Sequence, residues 1–198
     1  MDKIDSLDKI NAFVSDIRSL RKGYLTNFFL DRKKHSLWIE KGELFYVSFP
    51  DCYFLLHLTN SVNNLFFITT TSQQLAENLK AFLPIFAEQM VVDIVGDAKI
   101  VDLKDVFVEQ GFSVYEQLYR MNRIGTLEFK EIDTPNVCFA EDVDAQVVLD
   151  MLHSYFDPLS EQLPSYEEIL YFISRKSVLV YKEAGKVLSL IHISEPTR

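Results

Sequence analysis

Between Leu44 and Thr70 the chain carries three stretches rich in aromatic and β-branched residues: Leu44–Phe49, Tyr53–Leu58 and Leu65–Thr70. Such residues suit a pleated, half-buried surface, and the spacers between them are long enough only for hairpin turns. Lys41-Gly42-Glu43 and Ser61-Val62-Asn63-Asn64 read as turns, with Leu37–Ile39 as a short strand ahead of the first. Helical periodicity flanks this block. Ile4, Leu7, Ile10, Val14, Ile17 and Leu20 recur every three or four residues, and Gly23 reads as the stop. Thr71 and Gln74 have capping-box spacing and open a helix with Leu75, Leu79, Phe82 and Leu83 on one face, ending near Pro84. The expectation is an α/β (α+β) protein with mixed, mostly antiparallel sheets and flanking helices.

The pattern continues to residue 188. Val91–Val95 reads as a strand buried on both faces. Asp102 is the expected cap of a helix through Gln110, with Leu103, Val106 and Phe107 inward and Gly111 as its left-handed stop. Phe112–Ile124 reads as a strand or strand pair. Gly125–Pro135 is the expected boundary, giving a domain over 1–125 and a second over 126–188. Val137–Ala140 reads as a strand, and Asp142 as the cap of a helix carrying Val143, Val147, Val148, Met151, Leu152 and Tyr155. Asp157-Pro158 breaks that helix. Ser165 and Glu168 form a second capping box, opening a helix with Ile169, Leu170 and Ile173. Ser177–Lys182, the turn Glu183-Ala184-Gly185-Lys186 and Val187–Leu188 complete a hairpin.

Charge narrows the partners. The 198 residues carry a net charge of -9. Residues 1–125 hold 14 basic against 16 acidic residues, and 126–198 hold 6 against 13. An acidic chain repels phosphate backbones, so no nucleic-acid partner is expected. The one basic cluster, Arg32-Lys33-Lys34-His35, reads as a solvated loop. No apolar run is long enough to span a membrane, and the opening Met1-Asp2-Lys3-Ile4-Asp5 is not a secretory signal, so a cytoplasmic location without a membrane partner is expected. Cys52 and Cys138 lie far apart and read as small buried hydrophobes. His35, His57, His153 and His192 have no metal-binding spacing, so no metal site is expected; His57 reads as a core or sheet-face residue. No hydrolase nucleophile elbow or nucleoside-triphosphate loop occurs.

The order strand, helix, helix, strand, tight turn, strand over 137–188 resembles the opening half of a GNAT-family acetyltransferase domain. Its hairpin, Val178-Leu179-Val180-Tyr181, Glu183-Ala184-Gly185-Lys186, Val187-Leu188, is similar to that family's. Residues 65–124 resemble the later half of the same fold, with Val106–Phe112 similar to its helix end. The resemblance implies tandem GNAT-like units and, for the intact parent, transfer of an acetyl group from acetyl-CoA to a small-molecule or peptide amine. It implies a groove for that acceptor between the two helices of the second unit, where Tyr155, Phe156 and Asp157 fall. An apolar wall with one carboxylate suits an amine. Glu161, Glu167 and Glu168 lie nearby and read as solvated.

The family holds the donor's pyrophosphate with a glycine-bearing loop between the central strand and the next helix. In the first unit that position is Thr70-Thr71-Ser72-Gln73-Gln74, without glycine, so the first unit is expected to be degenerate and non-catalytic. In the second, the chain reaches Arg198 before such a loop. No catalytic or cofactor-binding residue is carried over, and this chain is expected to be inactive and to bind no cofactor itself. Residues 189–198, SLIHISEPTR, resemble a translated sequencing-adapter sequence and are expected to be a non-native tail, with a short strand as the alternative for Leu190–Ile193. A non-catalytic GNAT-like binding or interaction module is the alternative function.

Overall fold

The computed structural model describes residues 1–95, 100–117 and 135–193. Two compact units form, Met1–Tyr115 and Glu116–Arg198. The boundary expected at Gly125–Pro135 lies, up to residue 134, outside the described residues.

The first unit is built on a five-stranded antiparallel sheet in the order β1-β3-β4-β5-β2. Its elements run β1 (Asp2–Lys3), α1 (Leu7–Ser19), β2 (Leu25–Thr26), α2 (Arg32–Lys41), β3 (Leu44–Phe49), β4 (Cys52–Leu58), β5 (Asn63–Thr69), α3 (Ser72–Phe82) and α4 (Ile100–Glu109). The strands' period of two sorts their side chains between two cores. Leu44, Leu55, Phe66 and Ile68 meet Ile10, Phe13 and Ile17 of α1 and Trp38 of α2. Phe54, Leu56, Leu65 and Phe67 meet Leu75, Leu79 and Phe82 of α3 and Phe107 of α4. Each fully buried large side chain contributes about 1.5–3 kcal/mol, so a one-residue slip of β4 would turn both sets away from their helices.

Leu37–Ile39, expected as a short strand, is helical, inside α2. Asp31 caps that helix by accepting from the Lys33 and Lys34 N–H groups, and Gly42 ends it in the left-handed region. The Arg32–His35 cluster is therefore the first turn of a helix, with His35 buried. Lys41-Gly42-Glu43 is a helix end rather than a hairpin turn. Helix α1 stops at Ser19, leaving Ile4 and Leu20 outside it. Gly23 serves closeness instead of termination: at φ +118, a Cβ there would lie 2.6 Å from the Thr70 carbonyl oxygen.

Val91–Val95 is not a doubly buried strand. Val91 alone bridges Asn64, in parallel, and Val95 is 70% exposed. Helix α4 begins at Ile100, so Asp102 sits within its first turn rather than capping it. Gly111 does take positive φ, and the Phe112 N–H returns to the Phe107 carbonyl. Residues 112–117 form no strand, and 118–124 lie outside the described residues.

In the second unit, β6 (Val137–Phe139), a 3-10 turn (Asp142–Asp144), α5 (Ala145–Tyr155), α6 (Tyr166–Ser174), β7 (Val178–Glu183) and β8 (Lys186–Ile193) follow in sequence. The three strands form an antiparallel sheet in the order β6-β7-β8. Val148 and Leu152 of α5 and Ile169 and Ile173 of α6 pack on Val178 and Val180. Val143, expected on the helical face, is 82% exposed in the 3-10 turn. The cap there is Glu141 with Asp144, a reciprocal box, rather than Asp142. Ala184 (φ 48) and Gly185 (φ 76) make a two-residue turn that matches the strands' twist. Leu190–Ile193 continue β8, with Leu190 opposite Val180 and Ile193 opposite Val178. Apolar residues of extended propensity form such a ladder whatever their origin.

Candidate functional site

Tyr155, Phe156 and Asp157 lie in succession at the end of α5. Tyr155 closes the helix and is 81% exposed. Phe156 turns to extended backbone (φ -117, ψ 144) while its N–H still donates to the Leu152 carbonyl, which aims the chain away from the helix axis. Phe156 is 46% exposed. Asp157 Oδ1 accepts the Leu159 N–H at 2.9 Å, and its carbonyl accepts from the Ser160 and Glu161 N–H groups. The carboxylate thus shapes the first turn of the α5–α6 loop, beside two exposed aromatic rings.

That loop delivers the chain into α6 through a complete capping box. The Ser165 N–H donates to Glu168 Oε2 at 2.8 Å, and the Glu168 N–H donates to Ser165 Oγ at 3.4 Å. Glu168, expected to be solvated, is buried. Across the sheet end, Lys182 Nζ lies 2.7 Å from Asp144 Oδ2 and 3.7 Å from Glu141 Oε2. This pairing fixes the 3-10 turn against β7.

In the first unit, the segment between β5 and α3 is an ordinary helix start. Thr71 Oγ1 accepts the Gln74 N–H at 3.1 Å. Gly23 presses its backbone on Thr70. None of the six glycines of the chain falls between Thr70 and Gln74. The helix dipole remains, but this loop lacks the bare backbone that lets a pyrophosphate approach closely.

Sequence reasoning missed one side-chain cluster. Trp38 lies flat on His57, ring centroids 3.7 Å apart and planes 9° from parallel. His57 Nε2 is 3.2 Å from Glu43 Oε2, and His35 stands edge-on to Trp38 and stacks on Phe28. The Asp31 N–H donates to His35 Nδ1, and burial, helped by Lys34, lowers the imidazole to about 3. A neutral His35 and a His57 stacked on an indole suit packing better than proton transfer. The available signal was the three-residue spacing of His35 and Trp38 between a capping Asp31 and a stopping Gly42.

Cys52 is buried, and burial raises its thiol to about 12. Cys138, expected to be buried, is exposed on β6 at the sheet edge. Among the described residues, no group of three or more His, Cys, Asp or Glu side chains could hold a metal ion, and no helix is long and apolar enough to cross a membrane. No family model, no curated protein and no solved structure matches the chain.

Proposed function

We propose that this chain comes from an acetyl-CoA-dependent N-acetyltransferase of two GNAT-like units, in which the second unit carries the acceptor side and the first is non-catalytic. The observation that supports this most is the connectivity of the second unit. A strand leads into two helices that cover one face of the sheet, and an antiparallel hairpin with a two-residue turn follows. In this reading the exposed rings of Tyr155 and Phe156 receive the carbon skeleton of the amine, and Asp157 attracts its positive charge before reaction.

The chemistry is nucleophilic acyl transfer. The deprotonated amine attacks the thioester carbonyl, a C–N bond forms, the C–S bond breaks and the CoA thiolate leaves. A base takes the first proton from the ammonium ion, the nitrogen's second proton passes to the leaving thiolate as the amide forms, and backbone N–H groups steady the oxyanion. No residue of this chain is assigned to the base or to donor binding, and in this reading acetyl transfer awaits the rest of the second unit. The test is turnover of acetyl-CoA with a panel of primary amines, on this chain and on the frame of the native gene read onward from Leu188. The expected result is transfer by the second protein alone; transfer by neither overturns the reading.

The non-catalytic module is the second reading. What favours it is the Thr70–Gln74 segment, where a side-chain cap stands in place of a glycine loop. A native frame with no glycine-bearing loop after β8 would select it.

A further inference from the structure

The outer edge of β5 is shared among three parts of the first unit. At its start, the Val91 N–H donates to the Asn63 carbonyl, and the Leu65 N–H donates to the Val91 carbonyl. At its end, Leu25 pairs with Thr69 and Thr26 with Ile68, antiparallel. Between these, the segment after Val91 diverges and no backbone ladder forms. Two side chains fill that fork. Asn27 Oδ1 accepts the Phe67 N–H at 2.7 Å, and Asn27 Nδ2 donates to the Leu65 carbonyl at 3.2 Å and to the Asp93 carbonyl at 3.0 Å. Thr26 Oγ1 donates to the Phe67 carbonyl at 2.6 Å. A carboxamide offers one acceptor and two donors, so it can replace a peptide unit at a rung and reach a second strand as well. The strap is anchored on both sides, by Gly23 against Thr70 and by the buried Phe28.

We propose that Leu25–Asn27 is an internal strap that seals the outer edge of β5 against strand addition, with Asn27 as its latch. The rungs at Leu65 and Phe67 that an extended chain would use are taken by the protein itself. An unsealed edge would present those donors and acceptors to the same edge of a second copy of this chain. The inference stands on the hydrogen bonds of the first unit and does not depend on acetyl transfer.

The experiment combines residue-resolved amide exchange with sedimentation velocity over a concentration series, on the wild type, Asn27→Ala and Asn27→Asp. In Asn27→Ala the Phe67 amide should exchange at least ~10-fold faster, while Leu55 and Leu56 in β4 keep their rates. The same variant should associate with rising concentration to a degree the wild type does not. Asn27→Asp retains an acceptor for the Phe67 N–H but has no donor for Leu65 or Asp93. Its second oxygen would face the Leu65 and Asp93 carbonyl oxygens that Nδ2 now bonds at 3.2 and 3.0 Å, and that repulsion should also quicken the Phe67 amide, which preserves a test should Asn27→Ala fail to fold. Unchanged Phe67 exchange in Asn27→Ala overturns the latch. Faster exchange with wild-type sedimentation overturns the seal. In Asn27→Asp, an unchanged Phe67 amide overturns the latch.

Discussion

His35 and Asp31 are joined in both directions across one helical turn: the Asp31 N–H donates to His35 Nδ1 at 3.0 Å, and the His35 N–H donates to the Asp31 carbonyl at 3.0 Å. The imidazole is therefore part of the start of α2, held neutral and buried. Its basicity is lowered from 6.5 to about 3 in the folded state, first by burial and then by Lys34. The unfolded chain thus binds this proton more readily than the folded one. The stability contributed by a neutral His35 is full above pH 6.5 and is lost as pH falls toward 3, at a slope approaching about 1.4 kcal/mol per pH unit. Urea denaturation of wild type and His35→Gln across that range checks this, with the variant giving the flatter curve.

Trp38 is the single tryptophan of the chain. Buried between His57, His35 and Phe66, it should emit at short wavelength in the native state and shift to the red on unfolding. Trp38→Ala removes the indole from a core that cannot fully collapse, and should cost about 3–5 kcal/mol. Denaturant midpoints followed by circular dichroism measure it.

The two thiols should separate by reactivity. Alkylation requires the thiolate, which burial suppresses at Cys52 by raising its thiol to about 12, whereas Cys138 is exposed. Mass spectrometry after iodoacetamide treatment should show one adduct on the native protein, at Cys138, and two in denaturant.

Ala184 occupies the first position of the β7–β8 turn at φ 48, where an L residue with a Cβ is strained. Asparagine tolerates that region and favours this turn in front of glycine. Ala184→Asn should stabilise the second unit by about 0.5–1 kcal/mol, read as an increase in denaturation midpoint. Ser165→Ala, which removes the hydroxyl that receives the Glu168 N–H, should cost about 1 kcal/mol in the same assay.

What was legible in the sequence was local. The Ser165–Glu168 box, the Glu183–Lys186 turn and the Gly111 stop each rest on residues within four positions of one another, and each is present in the fold. The three long strands were legible from their aromatic and β-branched runs, although the border expected as a turn at Lys41-Gly42-Glu43 is a helix end and Asn63 and Asn64, expected in a turn, belong to β5. Leu37–Ile39 was misread because three apolar residues in a row fit either state. The deciding residues were Asp31 and Gly42 at the two helix ends. Asn27 was invisible for a different reason. Its partners Leu65, Phe67 and Asp93 are 38, 40 and 66 positions away, and no periodicity encodes a polar side chain that substitutes for a strand. The Tyr155–Asp157 segment was located at the helix end, but the turn formed by the Asp157 carboxylate emerged only with the geometry of Leu159.

The most direct measurement reads the native gene across the codons for Lys186 to Arg198 and onward, and assays the encoded protein for acetyl transfer. The frame should leave the present residues near Ser189, continue as an apolar strand and enter a glycine-bearing loop at a helix start, and the protein should acetylate a primary amine. A frame that ends at Arg198, or one that continues without such a loop and yields no acetyl transfer, would contradict the acetyltransferase reading.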